Sequence, residues 1–147
     1  MPAEISTRAF LLGDYENACA IWGSTDGVEI CEGDSREEIA RYLARNPGLS
    51  CVAEENEKLV GAALCGHDGR RGILYHVAVA PEARGRGVGR ALVEYCLRGL
   101  TAAGVPRVII LVASENSLGY DFWRKNGWEE IEGAVGMTRE LPRSEKT

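Results

Sequence analysis

The run from Val77 to Leu92, Val-Ala-Val-Ala-Pro-Glu-Ala-Arg-Gly-Arg-Gly-Val-Gly-Arg-Ala-Leu, carries the clearest chemical signal in this chain. An apolar strand stops at Pro81, a loop with Gly85, Gly87 and Gly89 follows, and an amphipathic helix opens near Val88. Glycines let a backbone approach a ligand closely. The helix start aims unpaired N–H groups and the positive end of its dipole back into the loop. Together these make a cradle for a phosphate or pyrophosphate, with Arg84, Arg86 and Arg90 adding positive charge. Just before the run stands His76, whose imidazole has the intrinsic character of a base at neutral pH. A histidine in a strand can equally be a packed, hydrogen-bonded residue, and both readings stand.

Two better-known phosphate loops are excluded. No Lys-Ser or Lys-Thr follows the glycines, so the P-loop pattern and its magnesium-nucleotide chemistry have no anchor. The dinucleotide fingerprint G-x-G-x-x-G also fails, because the glycines fall at 85, 87 and 89. What is present is R-x-x-G-x-G, as Arg84, Gly87 and Gly89.

The elements that must position these residues can be read from pattern. Residues 3–8 suggest an opening strand. Asp14 reads as an N-cap for a helix whose apolar face is Ala18, Ile21 and Trp22. A loop over 24–33 follows. Ser35 with Glu38 forms a capping box opening a second helix, with Ile39, Tyr42 and Leu43, that ends at Asn46-Pro47-Gly48. A β meander comes next, with strands at 49–54, 59–65 and 73–79 and turns at Asn56-Glu57 and Asp68-Gly69. After the glycine loop a helix carries Val88, Leu92, Cys96 and Leu100, and stops at Gly104. Residues 108–113 read as a strand covered on both faces. Ser117 to Lys125 is a short helix closed by Asn126-Gly127, and two last strands are expected near 128–131 and 135–141. The fold class is α/β: a mixed, mostly antiparallel sheet with about four helices, in a single domain over 1–142 with 143–147 as a frayed tail.

At 147 residues the chain can bury a core without disulfides or metals. A formal charge of -5 argues against nucleic acid or an anionic membrane as main partner. The five cysteines are scattered without a C-x-x-C pair, as small buried hydrophobes of a reducing compartment would be. No metal site is expected from that spacing and two histidines. The opening lacks a basic segment followed by an apolar one, and no stretch approaches a membrane span, so a cytoplasmic protein, monomeric or homodimeric, is expected.

On three ordered segments the chain resembles the GNAT superfamily of acetyl-CoA-dependent N-acetyltransferases. They are the loop itself, Glu115-Asn116-Ser117 through Phe122-Trp123-Arg124-Lys125-Asn126-Gly127-Trp128, and the hairpin Gly66-His67-Asp68-Gly69-Arg70-Arg71-Gly72. The hairpin is similar to that of the small bacterial YpeA-like branch. The resemblance implies acetyl-CoA as co-substrate, with pyrophosphate on Arg84, Gly85, Arg86, Gly87, Val88, Gly89 and Arg90. It implies backbone pairing of the pantetheine arm with Val77, Ala78 and Val79, if strand 73–79 splays from 108–113. Asn116, and Trp123 seven residues on, would border that arm.

Acetyl transfer to an amine needs a base, oxyanion stabilisation and, less urgently, an acid for the thiolate. The family's usual Tyr stands here as Trp123, whose indole N–H cannot act as an acid, and the usual strand Glu stands as Leu111. His76 as base and Tyr120 as acid are the remaining candidates, each with a packing role as alternative. Glu115 is read as a cap or as a residue reaching the site, His67 as a turn residue or part of the substrate rim, and Trp22, Tyr42 and Trp128 as core. Asp26, Glu29, Glu32 and Asp34 make the first loop acidic, which would favour a cationic acceptor or be a solvated face. The expected function is direct acetyl transfer in a ternary complex to a primary amine, of a small molecule, a peptide N-terminus or a lysine. A non-catalytic acyl-CoA sensor and a nucleotide-binding module are the alternatives.

Overall fold

The two turns read from the sequence fold the meander back on itself as the centre of a five-stranded sheet. The computed structural model describes residues 4–143. Its elements are β1 (Ile5–Ala9), α1 (Tyr15–Gly23), α2 (Arg36–Arg45), β2 (Cys51–Glu55), β3 (Lys58–His67), β4 (Gly72–Val79), α3 (Val88–Ala102), β5 (Val108–Ile109) and α4 (Ser117–Lys125). The strand order is β1-β2-β3-β4-β5, with every pairing antiparallel except β4 with β5. Asn56 and Glu57, both at positive φ, form the two-residue turn between β2 and β3, whose twist suits a tight hairpin.

Helices cover both faces. Leu92 and Val88 of α3 stand over Gly61, and Leu100 over Gly72, where a Cβ would collide with them. On the opposite face Tyr42 and Asn46 crowd Gly66. Between the layers, Trp22, Ile39, Val52, Val60, Leu92 and the cysteines 51, 65 and 96 are fully buried. That matches the reading of cysteines as small hydrophobes, except that Cys31 is exposed and Cys19 half-buried.

Two irregularities in β4 shape the surface it presents. Ala62 pairs with Ala78 and Leu64 with Tyr75, so His76 and Val77 together oppose Ala63 alone. This is a β-bulge, and His76 takes a φ of 51°, a conformation that usually falls to glycine. On its other edge β4 meets β5 only through Gly72–Val108 and Ile73–Ile109. Beyond Ile73 the two strands diverge, leaving the rest of that edge without a strand partner.

That divergence also explains where the expected elements fail. The strand read over 108–113 is two residues long, and Leu111 is 78% exposed, because no neighbouring strand accompanies it past Ile109. No strand forms at 128–131 or 135–141 among the described residues. Ile131, Val135, Met137 and Leu141 are exposed. Their alternating pattern is real, but a strand needs an adjacent edge, and β5 offers almost none. Asp14 sits at the start of α1 without capping it; its carboxylate accepts from Leu11 N–H and from Arg8 instead. Ala3 of the expected first strand lies outside the described residues, as do 144–147 of the expected frayed tail. Arg143, from that same tail, places Nη2 2.9 Å from Glu38 Oε2.

Candidate active site

The glycine loop leads directly into the start of α3, and the space above its backbone is open. Gly87 is the residue before the first helical position, in left-handed conformation (φ 81°), and no side chain caps the helix. Ala91 N–H is bonded to Gly87 O at 3.0 Å, so the N–H groups of Val88, Gly89 and Arg90 before it point into the loop. A Cβ on Gly85 or Gly87 would meet nothing within 4 Å, so space above the loop is open. Gly89 differs. A Cβ there would lie 3.3 Å from the Phe122 ring, so its smallness serves the packing of α3 against α4.

The three arginines are already engaged. Arg86 forks onto Glu55, with Nη2 3.0 Å from Oε1, and this holds the Glu55 carboxyl below its ordinary range. Arg90 Nε lies 3.1 Å from Glu94 Oε1 one turn along α3. Arg84 Nε donates to the Val79 carbonyl at 3.2 Å. The cluster is therefore less cationic than three lone guanidinium groups would be. Val77 and Val79 are half-buried and Ala78 buried, leaving their backbone as what β4 can offer.

Deeper in the sheet, the bulge carries a pair that no local pattern announced. His76 Nε2 lies 2.8 Å from Asp34 Oδ2, the two side chains being 15% and 10% exposed. Trp22 Nε1–H donates to the His76 carbonyl at 2.7 Å, and its ring lies against the imidazole with centroids 5.1 Å apart. Asp34 Oδ2 also accepts from Cys31 N–H at 3.1 Å, while the Tyr15 hydroxyl donates to the Asp34 carbonyl at 2.6 Å. The acidic loop thus divides: Asp26, Glu29 and Glu32 are exposed, while Asp34 turns inward. Asp34 was legible only as one acid among four, because its partner is 42 residues away. Trp22, read as core, is fully buried but also anchors the bulge.

At α4, Asn116 occupies the cap position and accepts from Gly119 N–H at 3.0 Å; the exposed Glu115 does not cap. The Asn116 amide also faces the loop between α1 and α2, where a Cβ on Gly27 would lie 2.6 Å from Nδ2. Trp123 is half-buried, edge-on to Phe122 and Trp128 at 5.1 and 5.0 Å. Tyr120 is 39% exposed, and the described contacts join it to Asn116 through the backbone, not to His76. His67 is the turn residue expected, its Nδ1 accepting from Gly69 N–H at 2.9 Å.

The acetyltransferase (GNAT) family model matches residues 15–128, most of the chain. The chain belongs to the GNAT family. An acetyltransferase of Pectobacterium atrosepticum is 32% identical over 125 residues, covering 85% of this chain and 88% of that one. Two solved GNAT-like folds are more distant. An aminoglycoside N-acetyltransferase in complex with CoA superimposes with a TM-score of 0.75 at 17% identity, over 96% of this chain and 98% of its own. Ard1 from Thermoplasma volcanium gives a TM-score of 0.75 at 21% identity, over 84% and 81%. As a GNAT enzyme the chain is an acyltransferase, and acetyl-CoA-dependent N-acetyl transfer is its reaction. Among the described residues no helix is long and apolar enough to cross a membrane.

Proposed function

We propose that this chain transfers the acetyl group of acetyl-CoA to a primary amine by direct attack in a ternary complex. The observation that carries this reading is the parting of β5 from β4 after two residue pairs, beside the open and uncapped start of α3. Backbone N–H groups at Gly85 to Arg90 would hold the pyrophosphate, and the unpaired edge of β4 at Val77, Ala78 and Val79 would receive the pantetheine amides as an added strand does. Asn116 and Trp123 would border that arm. Acetyl-CoA supplies an activated carbonyl and a thiolate that leaves readily. The C–N bond forms as the C–S bond breaks, and the amine proton passes to His76, the base in this reading. Backbone N–H groups along β4 are the donors for charge developing on the carbonyl oxygen. Tyr120 is the side chain offered as acid for the departing thiolate.

The exposed Asp26, Glu29 and Glu32 support a cationic acceptor, whether a small amine, a peptide N-terminus or a lysine. The Asp68-centred turn, with Oδ1 accepting from Arg70 and Arg71 N–H at 2.8 Å each, supports a place in the YpeA-like branch. A cytoplasmic monomer or homodimer fits the composition.

Gly87→Glu tests the cradle, because it puts a carboxylate where the diphosphate would sit. Calorimetry should give a coenzyme A affinity at least about 100-fold weaker, from a charged hydrogen-bond site lost and a repulsion gained. Melting should fall by only a few degrees, the strain of a side chain at positive φ. Unchanged affinity would overturn the assignment. An acetyl-transfer screen over cationic, neutral and anionic amines then tests the acceptor class.

A further inference from the structure

We infer that Asp34 is a positioning residue for His76, fixing which imidazole nitrogen carries the proton and which takes one up. This inference rests on the reading of His76 as the base. A carboxylate only accepts hydrogen bonds, so at 2.8 Å from Asp34 Oδ2 the His76 Nε2 must bear hydrogen. The lone pair of the neutral ring is then on Nδ1, which has no hydrogen-bond partner among the described residues. Nor is Nδ1 among the buried atoms left unpaired; the Tyr42 hydroxyl is the one such side-chain atom among the described residues. Nδ1 therefore keeps contact with the outside while Nε2 is turned inward. That is the arrangement a base requires.

The pair is held from both ends. On the sheet side, Trp22 fixes the His76 carbonyl, and the bulge holds a φ of 51°, a left-handed conformation that residues with a Cβ seldom adopt. On the loop side, the residues flanking Asp34 are both tied to Glu38: Gly33 N–H and Ser35 N–H reach its Oε1 at 3.1 and 3.2 Å. Cys31 N–H takes the carboxylate, and Tyr15 the carbonyl. A histidine that merely packed would need neither the left-handed backbone nor a carboxylate whose own backbone and flanking residues are tied down. The dyad joins two distant segments: the sheet gives the imidazole, the loop between α1 and α2 its orienting acid.

The test uses the intact chain and both of its histidines. Nitrogen-15 spectra of the imidazoles should place hydrogen on Nε2 of His76, and His67 serves as internal reference. His76 found with hydrogen on Nδ1 in the unmodified protein would overturn the inference without any variant. Asp34→Asn keeps the shape and removes the compulsory acceptor. It should mix the two His76 forms, leave His67 unchanged, and lower kcat at least about tenfold while the acetyl-CoA KM stays within about twofold. His76→Ala should lower kcat at least as far, and adding Asp34→Asn to it should cost nothing more. If His76→Ala abolishes turnover while Asp34→Asn leaves it intact, Asp34 has no positioning role and the base stands. If His76→Ala leaves turnover intact, the base reading itself fails, and this inference with it.

Discussion

Among the described residues Asp14 and Asp34 are the buried carboxylates, and the partner each one meets decides what it can do. Arg8 forks onto Asp14 at 2.8 and 2.9 Å and reaches Glu54 at 3.0 Å. The guanidinium holds the Asp14 carboxyl below its ordinary range, helped by the Leu11 N–H against the opposing effect of burial. A carboxyl lowered on folding stabilises fully above its unfolded value, about 3.9, and that share is lost as pH falls through the lower folded value. Arg8→Met should cost about 1–2 kcal/mol at pH 7, a figure kept modest because the Arg8 side chain is 37% exposed. Urea melts at pH 7 and pH 2.5 should show the gap between the two proteins narrowing in acid; a gap independent of pH would mean the fork is not what Asp14 contributes. Two groups beside Asp34, the Tyr15 hydroxyl and the Cys31 thiol, stay neutral near pH 7. The Tyr15 hydroxyl is pushed up to about 12 by its hydrogen bond with Cys19 and by burial, and burial raises the Cys31 thiol, with Asp34, Glu32 and Glu29 adding to it.

At the level of elements, α3 begins unlike α2. The capping box of Ser35 and Glu38 closes the start of α2 with side chains, whereas α3 opens on Gly87 with no cap and no acidic residue in its first turn. A missing cap usually costs about 1 kcal/mol, and a ligand anion is what would recover it. The charge near that helix start is set from another element, since Glu55 at the end of β2 occupies Arg86. Glu55→Gln removes the competing charge. Coenzyme A should then bind up to about fivefold more tightly, the range of an exposed ion pair, with the gain shrinking as salt is added. Weaker binding after this change would mean that Glu55 orients Arg86 for the ligand instead of competing for it.

Across the whole molecule, the sheet is continuous from β1 through β4, but β5 joins only the first two residues of β4 and the rest of that edge is open. If that opening receives the cofactor arm, amide hydrogen exchange along the outward edge of residues 74–79 should slow when coenzyme A is added. Saturation at about 100 Kd would add about 2.7 kcal/mol to stability and raise the melting temperature by several degrees. Binding without protection along β4 would move the arm elsewhere. The sequence made much of this frame legible, because its signals are local: a two-residue turn, a capping box, apolar residues every fourth position through α3. It misled beyond residue 109, where apolar and alternating stretches matched a strand pattern. Hydrogen bonding to a neighbouring edge is a property of the assembled sheet, and Leu111 and Val135 had no such edge to join.

By itself the sequence determined the β meander, the glycine loop leading into a helix, and hence the family, since each depends on residues within a few positions of one another. Tertiary structure alone decided that Arg86 answers to Glu55, that Gly89 makes room for Phe122, and that Asp34 faces His76. Those choices rest on contacts between segments dozens of residues apart, and backbone preference and periodicity act over too short a range to specify them.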